Sequence, residues 1–237
     1  MSHGAAEFSG TVAIVPARNE EGRVGEVVRL LVSSNLLNQV IVVSDGSDDR
    51  TVSEAESAGA EVLSFSEHVG KAAAMARGVA ATTAPVVCFF DADLVGLTVE
   101  HVRLIVEPVM RGEMAMNVGL CDRGHSANWL ARHLPLVSGQ RALRREVFES
   151  VPSHQMVGYG AEMALDQYCR SNRLPVGVVV LPKLSFVRKI QKIGLLAGLV
   201  QYVRMLLQLI VWLFVVRLTF HHSDSSKVGA NADSVRK

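Results

Sequence analysis

Disulfide chemistry has little to work with in this chain: 237 residues include three cysteines, Cys88, Cys121 and Cys169. They are far apart and odd in number, which argues against a disulfide framework and fits a reducing compartment. The eight histidines form no H-E-x-x-H and pair with no C-x-x-C, so the usual zinc signatures are missing. An excess of either charge is missing as well. The 24 Lys and Arg stand against 23 Asp and Glu, a net charge of +1, which gives no electrostatic footprint for nucleic acid. Residues 1–10 are small and polar, lack the apolar centre of a signal peptide, and are expected to be a flexible N-terminus. No internal repeat is visible.

A long uninterrupted apolar run is also lacking. Residues 193–220 come nearest, but Gln201, Arg204, Gln208 and Arg217 break them. A bilayer span needs about 20 mainly apolar residues, and the stretch between the two arginines covers residues 205–216 only. Residues 189–220 are therefore expected to form an apolar helical segment that lies in a membrane interface, or packs on the rest of the chain or on a second copy of it in a homodimer. Upstream, Lys183, Arg188, Lys189 and Lys192 suit anionic lipid on a cytoplasmic face. Residues 221–237 are polar and small and are expected to be a disordered tail.

What the chain has is core material. Hydrophobic residues make up 49%, enough for one large α/β domain. Residues 11–15 read as a buried strand. Val24, Val27, Val28 and Leu31 then recur at helical spacing. A second strand at residues 40–43 ends in the turn cluster at 44–49, where Ser47 or Asp48 is the expected helix N-cap. A short strand at 61–64 precedes Gly70 and Lys71, which open a helix with Ala72, Met75, Ala76, Val79 and Ala80 on its buried face. Strand and helix alternate over residues 11–110, the pattern of a doubly wound, mostly parallel sheet. Farther on, a strand is expected at 114–120, a turn at 138–141 before an Arg- and Glu-rich helix, a turn at 158–162 entering another helix, and a strand at 176–181.

The centre of this arrangement is the unbroken apolar run at residues 86–90, followed by Asp91-Ala92-Asp93. Such a run reads as a strand buried on both faces, and open α/β sheets bind ligands beyond the carboxyl ends of their strands. If extended geometry persists, Asp91 and Asp93 face one way. They would then offer oxygen ligands to a hard cation such as Mg2+, which usually shares its coordination with substrate phosphates. Taken alone, Asp-x-Asp more often caps a turn.

It does not stand alone. Pro-Ala-Arg-Asn-Glu-Glu at 16–21, Ser-Asp-Gly-Ser-Asp-Asp-Arg-Thr at 44–51, Gly-Lys-Ala-Ala-Ala at 70–74 and Phe-Phe-Asp-Ala-Asp at 89–93 occur in this order. Together they resemble glycosyltransferase family 2, enzymes of the GT-A fold that use nucleotide-diphosphate sugars. Among its subgroups the chain is similar to the glucosyl-3-phosphoglycerate synthases and the polyprenyl-phosphate sugar transferases. The resemblance is specific over residues 11–94 and thins over 95–180, where Ser-Gly-Gln-Arg and Gly-Tyr-Gly-Ala-Glu carry it.

The resemblance implies a GT-A catalytic domain at 11–188, a nucleotide-diphosphate sugar donor, Mg2+ or Mn2+ as cofactor, and inversion at the anomeric carbon. It places Pro16, Ala17 and Glu20 at the nucleoside, and Asp45 on its base or ribose, where a carboxylate accepts N–H donors. Lys71, at a helix start, would meet phosphate. Asp91 and Asp93 would hold the metal on the diphosphate, with Gln140 and Arg188 also on the donor. Glu162 or Asp166 would serve as base toward an alcohol acceptor. A late histidine ligand common in the family has no counterpart at 184–188, where Arg188 is the charged residue. The acceptor is expected to be a polyprenyl phosphate or a small phosphorylated acid. Glu20, Lys71, Glu162 and Ser47 also read as ordinary helix-end and turn chemistry.

Two rivals remain at this point. A nucleotidyltransferase can use a similar sheet and paired aspartates, although its usual glycine-rich signature after the first strand is absent at Pro16-Ala17-Arg18-Asn19. A non-catalytic nucleotide-sugar-binding protein would have less use for the retained aspartates.

Overall fold

The computed structural model describes residues 10–122, 138–156 and 160–186. Arg188, the expected helical segment at 189–220 and the tail at 221–237 lie outside the described residues, as does most of the expected flexible N-terminus. Strands β1 (Thr11–Ala17), β2 (Gln39–Asp45), β3 (Glu61–Phe65), β4 (Val86–Phe89), β6 (Met116–Cys121), β7 (Arg141–Arg144) and β8 (Val176–Leu181) form one sheet in the order β3-β2-β1-β4-β7-β6-β8. A small antiparallel pair joins β5 (Leu94–Val95) to β9 (Ser185–Phe186). Within the sheet, β7 runs antiparallel to both its neighbours and the other pairings are parallel. The architecture is mixed α/β with a mostly parallel sheet between helices. Among the described residues no helix is long and apolar enough to cross a membrane.

Strand alternation assigns the two faces. Val12, Ile14, Ile41, Val43, Val87 and Phe89 pack into one cluster with helix α3 (Lys71–Ala80) and helix α6 (Gly160–Ser171). Ala13, Val15, Val40, Val42, Val86, Cys88 and Phe90 pack into the other with helices α1 (Val24–Ser33) and α4 (Val99–Met110). Two-sided burial is why these strands read as unbroken apolar runs. Helix α3 lies close on the sheet because its face is made of small residues. A Cβ at Gly78 would stand 2.4 Å from Ile14 Cγ2.

Four local expectations need correction. Arg141 belongs to a strand, 141–144, rather than to the turn expected at 138–141, and the Arg- and Glu-rich helix that follows, α5 (Arg145–Glu149), is short. Pairing with β4 and β6 outweighs the helical propensity of an Arg-rich stretch. The buried face of α3 holds Ala72, Ala74, Met75, Gly78 and Val79, while Ala76 and Ala80 are exposed. Neither Ser47 nor Asp48 caps helix α2 (Thr51–Ser57); Asp49 accepts from the Thr51 backbone N–H at 3.0 Å instead. Strand β4 ends at Phe89, before the paired aspartates, so strand alternation does not set the directions of Asp91 and Asp93.

Candidate active site

The exits of β1 and β2 are laced together, which explains why their polar clusters occur as a pair. Asn19, at φ 54°, donates its backbone N–H to Ser47 Oγ at 3.2 Å and accepts from the Asp48 N–H at 3.0 Å. Glu20 and Glu21 donate their backbone N–H groups to Thr51 Oγ1 and Asp49 Oδ2 at 2.8 and 3.1 Å. Backbone N–H groups of each loop are thus satisfied by side chains of the other, while the Thr51 N–H that opens α2 bonds Asp49 of its own loop. Pro16 and Ala17 close β1 beneath this lattice, Ala17 buried and Pro16 half-buried. The Glu20 carboxylate pairs with Arg23 at 3.1 Å.

Four of the expected site residues meet around one ammonium group. Lys71 Nζ lies 2.8 Å from Asp91 Oδ1 and 3.0 Å from Glu162 Oε1. Gln140 Nε2 donates to Asp91 Oδ2 at 2.6 Å. The start of α3, the exit of β4, the loop before β7 and the first turn of α6 therefore converge at the carboxyl edge of the parallel strands, where α/β sheets place ligands. Burial works against the Lys71 charge, but the Asp91 and Glu162 carboxylates outweigh it and hold the amine well above its ordinary pKa. Burial likewise opposes the Asp91 charge, and Lys71 reverses it, so that carboxyl lies below its ordinary value. Both charged forms are present at neutral pH.

Glu162 is 2% exposed, and its Oε2 has no hydrogen-bond partner. An orphaned carboxylate oxygen is costly to bury, and such groups concentrate where a substrate supplies the missing donor. Asp166, one turn along α6, is buried and pairs with Arg170 at 3.0 Å. Asp45 is also turned to an internal partner. Its carboxylate accepts the backbone N–H groups of Val69 and Gly70 and meets His68 Nδ1.

Two contributors gave little sign in the sequence. Gly139 packs its backbone on Asp91: a Cβ there would stand 2.3 Å from Asp91 Oδ2. The Ser-Gly-Gln-Arg string contained it, but only the tertiary contact gives the glycine its reason. Arg141 is fully buried and donates to the carbonyls of Ser138 and Glu162, the latter at 3.1 Å. It joins the loop that carries Gln140 to the helix that carries Glu162. Burial lowers its pKa, and Glu162, Asp166 and Asp91 oppose that shift.

The site suits a hard divalent cation that is shared with a ligand. Asp91 and Asp93 offer oxygen only, and no group of three or more His, Cys, Asp or Glu that could hold a metal occurs among the described residues. Mg2+ and Mn2+ commonly take one or two carboxylates and complete their shell with phosphate and water. The missing Cβ at Gly139 lets the Asp91 carboxylate lie directly against the backbone there.

Comparison with known proteins identifies the family. The sequence model of glycosyl transferase family 2 matches residues 12–161. The glucosyl-3-phosphoglycerate synthase of Mycolicibacterium paratuberculosis is 29% identical over 200 residues, 68% of this chain and 60% of that protein. That of Mycobacterium tuberculosis is 30% identical over 201 residues, 68% of this chain and 61% of that protein. The chain thus spans less than two thirds of the length of these curated relatives. The crystal structure of the Mycobacterium tuberculosis enzyme in complex with Mn2+, uridine-diphosphate-glucose and phosphoglyceric acid superposes with a TM-score of 0.63 at 27% identity, covering 75% of this chain and 71% of that one. Another structure of that enzyme holds Mg2+ and uridine-diphosphate. The chain belongs to glycosyltransferase family 2, and its sheet is GT-A-like.

Proposed function

We propose that this family 2 chain transfers a sugar, with glucose as the first candidate, from a uridine-diphosphate donor to a small phosphorylated acid. The observation that carries the reading is the Lys71–Asp91–Glu162 cluster, a cation between two acids at the sheet's carboxyl edge, with one Glu162 oxygen unsatisfied. The relatives' complexes with UDP-glucose, phosphoglyceric acid and Mn2+ support the choice of donor, acceptor and metal.

Negative charge grows on the nucleoside diphosphate as the glycosidic bond breaks. The Lys71 ammonium is placed to meet that charge, and an ammonium fixed in a partly dry site acts more strongly than one in water. Asp93 would hold Mg2+ or Mn2+ together with donor phosphates and water, while Asp91 is held by Lys71 and Gln140. When bound, the ion supplies Lewis-acid neutralisation of the leaving diphosphate. Glu162 is the base toward the acceptor hydroxyl, because its free oxygen can take the proton. Asp166, already paired with Arg170, supports α6 rather than the reacting atoms. Pro16, Ala17 and Glu20 line the nucleoside side.

An acceptor hydroxyl that attacks from the face opposite the diphosphate inverts the anomeric centre. The anomeric configuration of the product, read by NMR, tests this arm. Retention of configuration would instead mean that the acceptor attacks from the diphosphate face. A second acceptor class, a lipid-linked phosphate at the inner face of a membrane, is favoured by the apolar 193–220 stretch and the basic residues before it. The deciding experiment measures UDP release with UDP-glucose and other nucleotide sugars, against 3-phosphoglycerate and polyprenyl phosphate, with and without Mn2+ or Mg2+. Acceptor-dependent UDP release is expected. Its absence across the panel, or release of pyrophosphate, would overturn the reading in favour of the binding-protein or nucleotidyltransferase alternative.

A further inference from the structure

We infer that Ser138 is a positioning residue: its hydroxyl fixes which edge of the Gln140 amide faces Asp91, and so holds the Asp91 carboxylate in register with Lys71 and Glu162. The inference rests on the donor reading above and adds a residue that acts through Gln140. Ser138 lies in the loop before β7 and is 9% exposed, and Gln140 is 2% exposed. Ser138 Oγ stands 2.9 Å from Gln140 Oε1 and 2.6 Å from Gly119 O. Gln140 Nε2 donates to Asp91 Oδ2 at 2.6 Å, and Asp91 Oδ1 meets Lys71 Nζ at 2.8 Å. Polar contacts thus run without a break from β6 to the ammonium.

A serine hydroxyl has one proton to give, and both neighbours of Ser138 Oγ are acceptors. Directed at Gly119 O alone, that proton would leave Oγ facing Oε1, oxygen against oxygen. The amide could relieve the contact by turning over, which would bring its NH2 to Ser138. The same turn would set Oε1 against the Asp91 carboxylate, where the amide now stands at 2.6 Å. Two acceptors repel there, and a charge-assisted hydrogen bond is lost. Asp91 therefore selects the amide edge, and the Ser138 proton, shared with Gly119 O, bonds Oε1. The loop leaves Oγ little freedom. The Ser138 carbonyl accepts from Nε of the buried Arg141 at 3.2 Å, and Nη1 of the same guanidinium reaches Glu162 O at 3.1 Å. The Gly119 N–H holds the Gln140 carbonyl at 2.9 Å. Loss of the hydroxyl takes this donor from a buried amide oxygen, and the amide then holds Asp91 less firmly.

The test is a double-mutant cycle of Ser138→Ala with Gln140→Met. Beside it stand Ser138→Thr, which keeps the hydroxyl, and Ser138→Cys, whose weaker donor of similar size replaces the alanine form if that form does not fold. UDP release from UDP-glucose is followed with 3-phosphoglycerate and Mn2+. Ser138→Ala should lower kcat by about tenfold with the UDP-glucose KM within about threefold, the pattern of lost positioning rather than lost binding. Ser138→Thr should stay within about threefold of the parent, and in the Gln140→Met background the alanine change should alter kcat by no more than about twofold. An equal loss in both backgrounds would overturn the inference, because the hydroxyl would then act through Gly119 and the sheet. Parental kcat in Ser138→Ala would overturn it too. A second readout needs no nucleotide. The side-chain amide protons of Gln140, assigned by NMR from their loss in Gln140→Met, should exchange with solvent about tenfold faster in Ser138→Ala than in the parent. Unchanged exchange would count against the inference as decisively as unchanged turnover. If the unaltered protein releases no UDP from UDP-glucose, the donor reading fails, and amide exchange alone decides whether Ser138 fixes Gln140.

Discussion

Lys71 Nζ stands 3.0 Å from Glu162 Oε1, joining the first residue of α3 to the first turn of α6. The contact couples the residue proposed to meet the diphosphate to the residue proposed to take the acceptor's proton. Asp91 shares the same ammonium at 2.8 Å, so loss of any member changes the electrostatics of the others.

Replacing Glu162 with glutamine preserves size and removes the proposed base. The expected result is a fall in kcat of about 10²–10⁴, the usual scale of general-base catalysis, with donor KM changed by no more than a few-fold. Steady-state kinetics with a saturating acceptor checks this. A variant with the parental kcat would remove Glu162 from the reaction.

Chelation with EDTA should abolish sugar transfer, and Mn2+ or Mg2+ should restore it. Asp93→Ala should fold as the parent does but lose several kcal/mol of transition-state stabilisation, roughly what removal of a catalytic metal costs. Parental activity in the folded variant would exclude the assignment.

Gly139→Ala puts a methyl group where the Asp91 carboxylate lies, 2.3 Å away before any movement. Overpacking of this kind costs about 1–3 kcal/mol, and here it also displaces the Gln140 contact. Thermal melting should show the loss, and activity should fall further than stability explains. An alanine variant with parental melting temperature and turnover would show that the loop relaxes freely.

Arg141 is buried among Asp91, Glu162 and Asp166. Arg141→Met removes the cation but leaves the acids, a change that costs about 3–5 kcal/mol when one partner of a buried pair is lost. Lysine should recover only part of this, since it lacks the fork that reaches two carbonyls. Denaturant titration measures both variants; equal stability of methionine and arginine forms would refute the argument.

The Lys71–Asp91 pair also fixes a pH window. The Asp91 carboxyl is lowered, so its contribution is complete above the unfolded carboxylate pKa of about 3.9 and declines as pH falls below that value. The Lys71 amine is raised, so its contribution is complete below about 10.4 and declines only as pH rises beyond it. The difference in melting temperature between the parent and Lys71→Met should therefore be flat from about pH 5 to 9 and shrink in acid. A gap that closes near neutrality would contradict the pairing.

The sequence made the sheet legible where burial is two-sided. The runs at 12–15, 40–43 and 86–90 are apolar at every position because β1, β2 and β4 bury both faces, and that pattern needs no tertiary information. The positions of Lys71, Asp91 and Glu162 were legible as well, since each follows a strand or opens a helix beside a glycine-containing turn. What those residues touch was decided by the crossovers of the sheet. Strand β7 enters antiparallel between β4 and β6, which carries Gly139, Gln140 and Arg141 against Asp91 and α6. A short segment written Arg-Ala-Leu-Arg gives no local reason to be a strand; its neighbours supply the hydrogen bonds. The aspartate ending β2 shows the same division. Its side chain type followed from the turn cluster, but that its carboxylate faces the 68–70 loop depends on β3 lying beside β2 and delivering that loop to Asp45. Apolar period and turn chemistry are local and survive in the sequence, whereas the partner of a buried charge is chosen by which strands the chain brings together.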